Sequence, residues 1–293
     1  MTTAKDYKKF DYFAYPSNPN VNTFKRERYK LIDKKTKIVS MGSCFARHLS
    51  TYLIKNKYNY LITEKPFKQG SAHWERVFNT ACIRQIFEYT YMPEKWKPAV
   101  RWWDHGFAVQ DPFRRDIIYN KDTCEQNFQH HIACSRKALD NAEVLILTLG
   151  LTEVWRDFRD LMTFYRVPSP KIYDKNIHEF HLQSIGECIT DLQQAYSILH
   201  GYNKKVKIIV TVSPVPLFAT FRNDVDVMTA NMMSKSTLRV VAEYFSQYRD
   251  VYYFPAYELV TQVIKNPYKE DNRHPRPQTI AKVMDLFNHL YMK

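Results

Sequence analysis

Glycine is scarce in this sequence, and three further features are missing. Only six of the 293 residues are glycine. No apolar run approaches the ~20 residues of a membrane-spanning helix, and the opening segment MTTAKDYKKF lacks the apolar core of a signal peptide. The five cysteines are odd in number and form no C-x-x-C pair, which argues against a disulfide framework and a cysteine-based zinc site. We expect a cytoplasmic protein with free thiols and no metal site.

The composition is that of a globular protein, with 45% hydrophobic and 25% charged residues. The net charge is +13, and residues 1–60 alone hold 13 basic against four acidic side chains. We predict a basic N-terminal arm over 1–36, followed by one catalytic domain over 37–293. Such an arm favours anionic partners: phosphate-bearing cofactors or substrates, an acidic membrane surface, or nucleic acid. A solvated arm without any ligand explains the charge equally well.

Short apolar runs that end in turn-like clusters predict the strands of a parallel sheet. The runs are Lys37–Met41, Val144–Leu149, Val206–Val212 and Val251–Phe254, with Tyr60–Thr63 as a weaker fifth. Helical spacing of apolar residues falls between them, at 45–57, 73–92, 122–140, 177–200, 229–248 and 277–291. This alternation predicts an α/β fold, a three-layer α/β/α arrangement with a central parallel sheet. Ligands bind such sheets at the carboxyl ends of the strands.

The segment from about 64 to 120 fits this alternation poorly because it is rich in tryptophan, phenylalanine and proline. We predict an aromatic-rich insertion that covers the edge of the sheet and shapes a substrate pocket.

Two of the six glycines, Gly42 and Gly150, directly follow predicted strands. Ser43 and Cys44 come next after Gly42, and a helical pattern starts near Phe45. A thiol at a helix N-terminus has a lowered pKa and a larger thiolate fraction. Cys44 is therefore a candidate nucleophile, while a buried structural cysteine is the alternative.

A second candidate element is Asp271-Asn272-Arg273-His274, which precedes the last helical segment. A carboxylate three residues before a histidine can accept the Nδ1 proton and leave Nε2 to act as a general base. D-x-x-H occurs often by chance, but here it follows the last predicted strand. We expect the parallel sheet to bring it beside the loop after the first strand.

Other polar residues are interpreted more simply. His178-x-x-His181 and His130-His131 lack an obvious third metal ligand, so we interpret them as solvent-facing or capping histidines. Asn231 and Lys235 open a helical stretch that is in principle within reach of the same face as the candidate site. The default interpretation is that they are helix-surface residues.

Five ordered motifs between about residue 37 and the C-terminus resemble the GSCFA family, a branch of the SGNH or GDSL-like hydrolases. The motifs are Gly42–Ala46, Gly150–Trp155, Thr211–Pro216, Tyr253–Glu258 and the DNRHP stretch. The resemblance implies an SGNH or flavodoxin-like fold. It places Cys44 in the third position of Gly-Asp-Ser, where the serine nucleophile of GDSL enzymes stands. Ser43 is the nucleophile instead if the turn shifts by one residue.

The same resemblance assigns Asp271 and His274 as orienting acid and base. Its Gly-x-Asn-Asp block falls on Gly150–Glu153, with Thr152 in place of the oxyanion-binding asparagine. A threonine hydroxyl reaches less far, although the backbone N–H of Cys44 can contribute. Gly42, Gly150, Thr152 and Glu153 are thus the candidate oxyanion or substrate-binding residues, with a surface helix-start position as the alternative for Glu153.

These observations predict an acyltransferase or esterase that acts through a covalent acyl-enzyme on an ester or thioester. The expected context is O-acetylation or deacetylation of a glycan in surface polysaccharide biosynthesis. Hydrolysis needs no cofactor, whereas a transferase needs acetyl-CoA or another acyl-CoA, a carbohydrate acceptor, and favours association with an anionic membrane or lipid-linked glycan. The alternatives are a non-catalytic glycan-binding protein and a nucleic-acid-binding protein. No recognition motif supports nucleic acid as a partner.

Overall fold

The computed structural model describes residues 14–25, 27–67, 70–114 and 116–293. In chain order its main elements are β1 (Ile38–Gly42), α1 (Ala46–Lys55), α2 (Thr80–Tyr91), β2 (Trp103–Asp104), β3 (Val109–Gln110), β4 (Ile117–Ile118), α3 (Cys124–Asn141), β5 (Val144–Leu149), β6 (Glu153–Asp157), β7 (His178–Leu182), α4 (Ile185–Tyr202), β8 (Lys207–Val212), α5 (Val227–Phe245), β9 (Val251–Tyr253), α6 (Ala256–Glu258) and α7 (Pro277–Tyr291). A π-helical turn, Leu259–Val263, continues α6.

The central sheet consists of four parallel strands in the order β1-β5-β8-β9. Its strands are apolar on both faces because helices cover both. In β5, Val144 and Ile146 belong to a core shared with α1, α6 and α7, whereas Leu145 and Leu147 belong to a core shared with α2, α3, α4 and α5. The predicted three-layer α/β/α fold is confirmed.

All four main predicted strands form, but two helix predictions are wrong at their N-terminal ends. Residues 73–79 are not helical, and the Val77 N–H donates to the Gly42 carbonyl at the end of β1. Residues 178–182 form β7, which pairs with β6 in an antiparallel ribbon. The weak fifth strand reduces to a single bridge between Tyr60 and Ile38. For the two helix predictions, backbone hydrogen bonds to distant segments override the local apolar spacing.

The segment 64–120 contributes α2 to one helical layer, where it packs against α3 and α4. It also forms a small antiparallel sheet, β2-β3-β4. Its tryptophans Trp74, Trp96 and Trp103 are buried, which explains the aromatic composition. Glu75 and Arg76 from this segment line the cavity beside Cys44.

Part of the predicted basic arm packs on the domain, and residues 1–13 lie outside the described residues. Tyr29 and Ile32 donate backbone hydrogen bonds to the carbonyls of Leu290 and Tyr291 at the end of α7. The boundary at residue 36 stays a prediction. Within the described ranges, no helix combines the length and the apolar character needed to cross a bilayer.

Candidate active site

The turn after β1 is packed tightly against the end of β5. Gly42 has φ +146°, and a Cβ atom there would lie 2.5 Å from the carbonyl oxygen of Thr148. The Ser43 N–H donates to that same carbonyl at 3.1 Å. Because a side chain fits neither the backbone conformation nor the space, glycine is required at position 42.

Ser43 and Cys44 differ in their access to solvent. Ser43 is 2% exposed, and its Oγ accepts a hydrogen bond from the Phe45 N–H. Cys44 is partly exposed and lines a cavity of about 470 Å³. Ser43 is not among the residues that line this cavity. Of the two predicted nucleophiles, Cys44 is the one whose side chain can reach a ligand there.

The prediction that the Cys44 pKa is lowered is wrong. Burial raises the pKa of the thiol above its ordinary value, and the positive charges of Arg76, Lys235 and Arg273 oppose this without cancelling it. Helix α1 begins two residues later, at Ala46. Removal from water therefore outweighs the effect of the helix terminus, which falls off beyond the first turn.

Asp271 and His274 form the predicted pair in the loop before α7. The Asp271 Oδ2 contacts the His274 Nδ1 at 2.5 Å, and the Asp271 Oδ1 accepts from the backbone N–H groups of Arg273 and His274. Both side chains are about half exposed, at 45%. The hydrogen bonds hold the pKa of Asp271 well below its usual range, the contact with His274 contributing most. The carboxylate therefore stays ionised and fixes the imidazole.

Cys44 and His274 line the same cavity. The strand order alone does not bring them together, because β1 and β9 lie at opposite edges of the sheet. The loop before α7 does so, since α7 packs against α1. The other lining residues are mostly basic: Arg47, His48, Thr51, Glu75 and Arg76. Burial lowers the pKa of His48, and the nearby charges of Lys269, His274 and Arg47 add to the effect. This cavity at the carboxyl end of β1 is a cationic site that suits an anionic ligand.

Two of the expected oxyanion or substrate-binding side chains lie elsewhere. Thr152 is 1% exposed, and its backbone N–H donates to the Ser234 Oγ. The Glu153 carboxylate accepts from the Thr220 hydroxyl and the Phe221 N–H, so it anchors the loop that precedes α5. Neither residue is among those that line the cavity with Cys44. Their motif shapes the end of β5 rather than the cavity wall.

Gly150 has a packing role. Its N–H donates to the Phe78 carbonyl, so it is not free for an oxyanion. A Cβ atom at Gly150 would lie 2.9 Å from the Phe78 carbonyl oxygen and 3.2 Å from the Cβ of Ser43. Glycine at this position lets the nucleophile turn and the segment before α2 pack against β5.

The Ser213-Pro214-Val215-Pro216 motif supports the loop that carries His274. The carbonyl oxygen of Pro214 accepts from the Tyr268 hydroxyl at 2.8 Å, and that of Pro216 accepts from an Arg273 guanidinium nitrogen at 3.2 Å. Prolines hold a strand end in a fixed extended form and leave its carbonyls available. The motif thus positions the Asp271–His274 loop.

Lys235 is the main residue whose role the sequence interpretation missed. It is 1% exposed rather than on the helix surface, and its Nζ donates to the Gly150 carbonyl oxygen at 2.6 Å. Burial lowers its pKa to about 7, with Arg273 acting in the same direction and Cys44 opposing. Its spacing to Leu238 and Ala242, which are both buried, was the available signal.

Two histidines interpreted as solvent-facing or capping are also buried. His131 is 0% exposed and contacts the Glu64 carboxylate through Nδ1 at 2.7 Å. Its Nε2 lies 3.0 Å from the Tyr89 hydroxyl and 3.4 Å from the Ser135 Oγ. His178 is 4% exposed, and its Nδ1 accepts from the Asp174 N–H. Both satisfy internal hydrogen bonds.

The fold and site define a class: an α/β protein in which a cysteine after the first strand and an Asp-His pair before the last helix face one cavity. A family model described as the GSCFA family matches residues 37–287. The chain belongs to the GSCFA family, which confirms the resemblance carried by its motifs.

The solved structures to which this chain is similar are distant from it. A protein from Streptococcus pneumonia is 10% identical, with a TM-score of 0.42. The match covers 92% of this chain and 89% of the Streptococcus chain. A carbohydrate esterase family 3 from Talaromyces cellulolyticus is 8% identical, with a TM-score of 0.35. The match covers 86% of this chain and 94% of the esterase chain. The family 3 carbohydrate esterase of Clostridium thermocellum is 10% identical, with a TM-score of 0.35. The match covers 88% of this chain and 95% of that chain. No curated protein sequence matches this chain at a significant level.

Proposed function

We propose that this protein transfers or hydrolyses an acyl group through a thioester on Cys44. The observation that carries the proposal is that Cys44 and His274 line one cavity, with the His274 Nδ1 held by Asp271. A nucleophile, a base and an orienting carboxylate are the parts that covalent acyl transfer requires.

In this mechanism the Cys44 Sγ attacks the carbonyl carbon of an ester or thioester. His274 Nε2 is free to exchange protons because Nδ1 faces Asp271. It takes the thiol proton and returns it to the leaving group. In the second half, Nε2 takes a proton from water or a hydroxyl, whose oxygen attacks the thioester; the C–S bond breaks and the imidazole returns the proton to the Cys44 sulfur.

The oxyanion of each tetrahedral intermediate needs a donor, and Thr152 is buried away from the cavity. The backbone N–H of Cys44 suits this role because, among the described residues, it donates to no other residue. Arg76 also lines the cavity and can supply a charged donor.

The cationic lining of the cavity favours an anionic donor such as acetyl-CoA or another acyl-CoA, with a glycan hydroxyl as acceptor. Arg47 and Arg76 contribute the positive charges of the lining against one carboxylate, Glu75. A lipid-linked glycan, which carries phosphate, would suit the same charge. Replacing Arg47 by Gln should raise KM for acyl-CoA and leave KM for an uncharged aryl ester unchanged.

The decisive experiment is to incubate the protein with acetyl-CoA or an aryl acetate and analyse the peptide containing residues 42–47 by mass spectrometry. We expect an acetyl adduct on Cys44 that is lost in Cys44→Ala. The matched control Ser43→Ala should keep the adduct. An adduct that persists in Cys44→Ala but disappears in Ser43→Ala would reverse the assignment.

The fate of the adduct separates hydrolysis from transfer. Release of free acetate without an acceptor indicates an esterase, whereas release that requires an added sugar indicates a transferase. If no donor acylates the protein but a Cys44→Ala variant still binds glycans, the non-catalytic alternative is correct.

A further inference from the structure

A second cavity, of about 190 Å³, is apolar and distinct from the one that Cys44 lines. Aromatic and aliphatic side chains form most of its wall, among them Phe78, Leu151, Trp155, Phe180 and Phe221. The mechanism described above gives this aromatic cavity no role. A concave site with such a lining is typical of small-molecule binding.

Ring contacts hold the wall of the aromatic cavity in place. The Trp155 and Phe221 rings pack edge to face with their centroids 5.1 Å apart, and the Phe180 ring lies 6.0 Å from each of them. Phe78 and Tyr165 form a second ring pair at 6.3 Å. Because these side chains support one another, the cavity is formed before any ligand enters.

The polar side chains in the lining are already engaged with backbone groups. The Asn79 Oδ1 accepts from the Cys82 N–H, and the Tyr165 hydroxyl accepts from the Arg76 N–H. The Glu153 carboxylate accepts from the Phe221 N–H. A sugar ring placed here would leave many of its hydroxyls without partners, which is unfavourable in an apolar environment. An apolar chain or ring fits the cavity better.

The aromatic cavity adjoins the turn that carries the nucleophile. Arg76 lines the cavity of Cys44, whereas Phe78, two residues later, lines the aromatic cavity. At Gly150 a Cβ atom would lie 3.2 Å from both the Phe78 ring and the Ser43 Cβ. The Phe78 ring and the nucleophile turn thus approach each other across this glycine.

The loop after β8 brings the aromatic cavity next to the loop of the candidate base as well. Leu217 lines the cavity, and both of its chain neighbours contact Arg273. The Arg273 guanidinium lies 5.1 Å from the centroid of the Phe218 ring and donates to the Pro216 carbonyl. Since Arg273 directly precedes His274 in sequence, the aromatic cavity adjoins both halves of the candidate active site.

We propose that the aromatic cavity binds the apolar chain of the acyl group that Cys44 receives. This inference rests on the proposed acyl transfer and names its substrate class, a donor with a medium-length acyl chain. The two cavities differ as the two halves of an acyl-CoA do. The one with Arg47 and Arg76 suits the phosphates, and the aromatic one suits the chain. The Cys44 Sγ replaces the CoA sulfur on the carbonyl carbon, and the thiol proton leaves with CoA through His274.

The volume of the cavity sets the length of the chain. An apolar cavity of about 150 Å³ in another protein takes a benzene-sized molecule. At about 190 Å³, this one accommodates roughly six to eight carbon atoms. An acetyl group leaves the cavity empty and gains nothing from it.

The test compares acetyl-, hexanoyl-, octanoyl- and dodecanoyl-CoA as donors, each below saturation. The readout is the rate of adduct formation on the peptide containing residues 42–47, followed by mass spectrometry. Each buried methylene should raise the rate up to ~4-fold, so that octanoyl-CoA acylates Cys44 at least ~100-fold faster than acetyl-CoA. Dodecanoyl-CoA should bring no further gain. Equal rates for all four donors overturn the inference.

Val167→Phe fills the cavity from a partly exposed position in its lining. It should lower the ratio of octanoyl to acetyl rates ~10-fold or more, because the chain loses its space. The matched control is Val240→Phe, the same substitution at a 51% exposed position of α5 outside the lining, and it should keep the ratio. Phe221→Ala opens the wall at a 50% exposed residue and should also lower the ratio. It replaces Val167→Phe if that variant does not fold. A wild-type ratio in both lining variants overturns the inference.

Calorimetric titration of Cys44→Ala with octanoate, and with acetate as the control, tests the cavity without any chemistry. If octanoate binds more tightly than acetate, Val167→Phe weakens it and no donor acylates Cys44, the apolar site stands and the proposed function fails. If Cys44 is acylated at one rate whatever the chain, the function stands and the inference is wrong. If instead octyl glucoside accepts the acetyl group faster than methyl glucoside while donor length has no effect, the cavity serves the acceptor, and the assignment to the acyl chain is overturned.

Discussion

Two histidine–carboxylate pairs in this molecule have the same local chemistry and opposite surroundings. His274 contacts Asp271 through Nδ1 and is 45% exposed, whereas His131 contacts Glu64 through Nδ1 and is fully buried. The buried pair even has a serine, Ser135, 3.4 Å from the imidazole Nε2. It thus has the connectivity of a catalytic triad, but Ser135 is 0% exposed and no substrate can reach it. Solvent access therefore distinguishes the candidate catalytic pair, Asp271–His274, from the buried network around His131.

The environments also act differently on ionisation. Burial lowers the pKa of His131 to about 4, with Arg114 acting in the same direction and Glu64 opposing. Burial by itself would raise the pKa of Glu64, but the hydrogen bond from His131 and further contacts outweigh it and lower that pKa to about 2. His131 is therefore neutral at physiological pH, and its Nε2 accepts from the Tyr89 hydroxyl. The buried pair is a fixed hydrogen-bond network.

The largest expected effect is on activity at the exposed pair. His274→Ala should lower kcat for acyl transfer or hydrolysis by a factor of ~10²–10⁴, because it removes the general base. The melting temperature should stay near that of the wild type, since the side chain is half exposed. Steady-state kinetics and a thermal melt measure the two quantities. Full turnover in this variant would remove His274 from the mechanism.

At the buried pair the expected effect is on stability. His131→Ala leaves the Glu64 carboxylate buried without its main partner, so the free energy of unfolding should fall by about 3–5 kcal/mol. Urea denaturation measures it, and kcat per folded molecule should be unchanged. A loss of kcat in molecules that remain folded would show that the His131 hydrogen-bond network influences the active site.

The buried pair should also make the protein sensitive to acid. The pKa of folded His131 is about 4, below its ordinary 6.5, so the unfolded state binds a proton first and stability falls as pH drops through this window. Glu64, with a pKa of about 2 against 4.5, adds a further loss below pH 4.5. Urea midpoints between pH 7.5 and 4 measure the decline. A His131→Gln variant should show a flatter profile between pH 6.5 and 4.

The smallest effect is expected for the serine of the buried network. Ser135→Ala removes the acceptor of the Trp74 indole N–H and should cost about 1–3 kcal/mol of stability. It should leave both kcat and acylation of Cys44 unchanged. Any loss of acylation would contradict the structural role assigned to this serine.

Much of the fold was predictable because local pattern and global topology agree. The strands at Val144–Leu149 and Lys207–Val212 are apolar on both faces, as buried parallel strands are. The Asp271–His274 pair was predictable as well, since its two residues are only three positions apart in one loop. The β6–β7 ribbon was missed because its pairing depends on residues more than 20 positions apart.

The burial of Lys235 was not predicted because a lysine is normally exposed, and the spacing to Leu238 and Ala242 was a weak signal against that tendency. Gly150, Cys44 and Arg273 are distant in sequence and meet only when the sheet forms. The positions of the Thr152 and Glu153 side chains, outside the cavity that Cys44 lines, were not predicted for the same reason. The Gly150–Glu153 motif shows which residues are present. Where their side chains point depends on the packing of α5 and of the loop before it.

The sequence by itself determined the layered α/β architecture, the turn at Gly42 and the Asp271–His274 pair, because each depends on residues that are close along the chain. Only the tertiary structure decided that Cys44 rather than Ser43 faces the cavity, that Lys235 is buried behind it, and that the His131 network is closed to solvent. Those outcomes depend on solvent access and on the charges that distant segments bring together, and a linear pattern encodes neither.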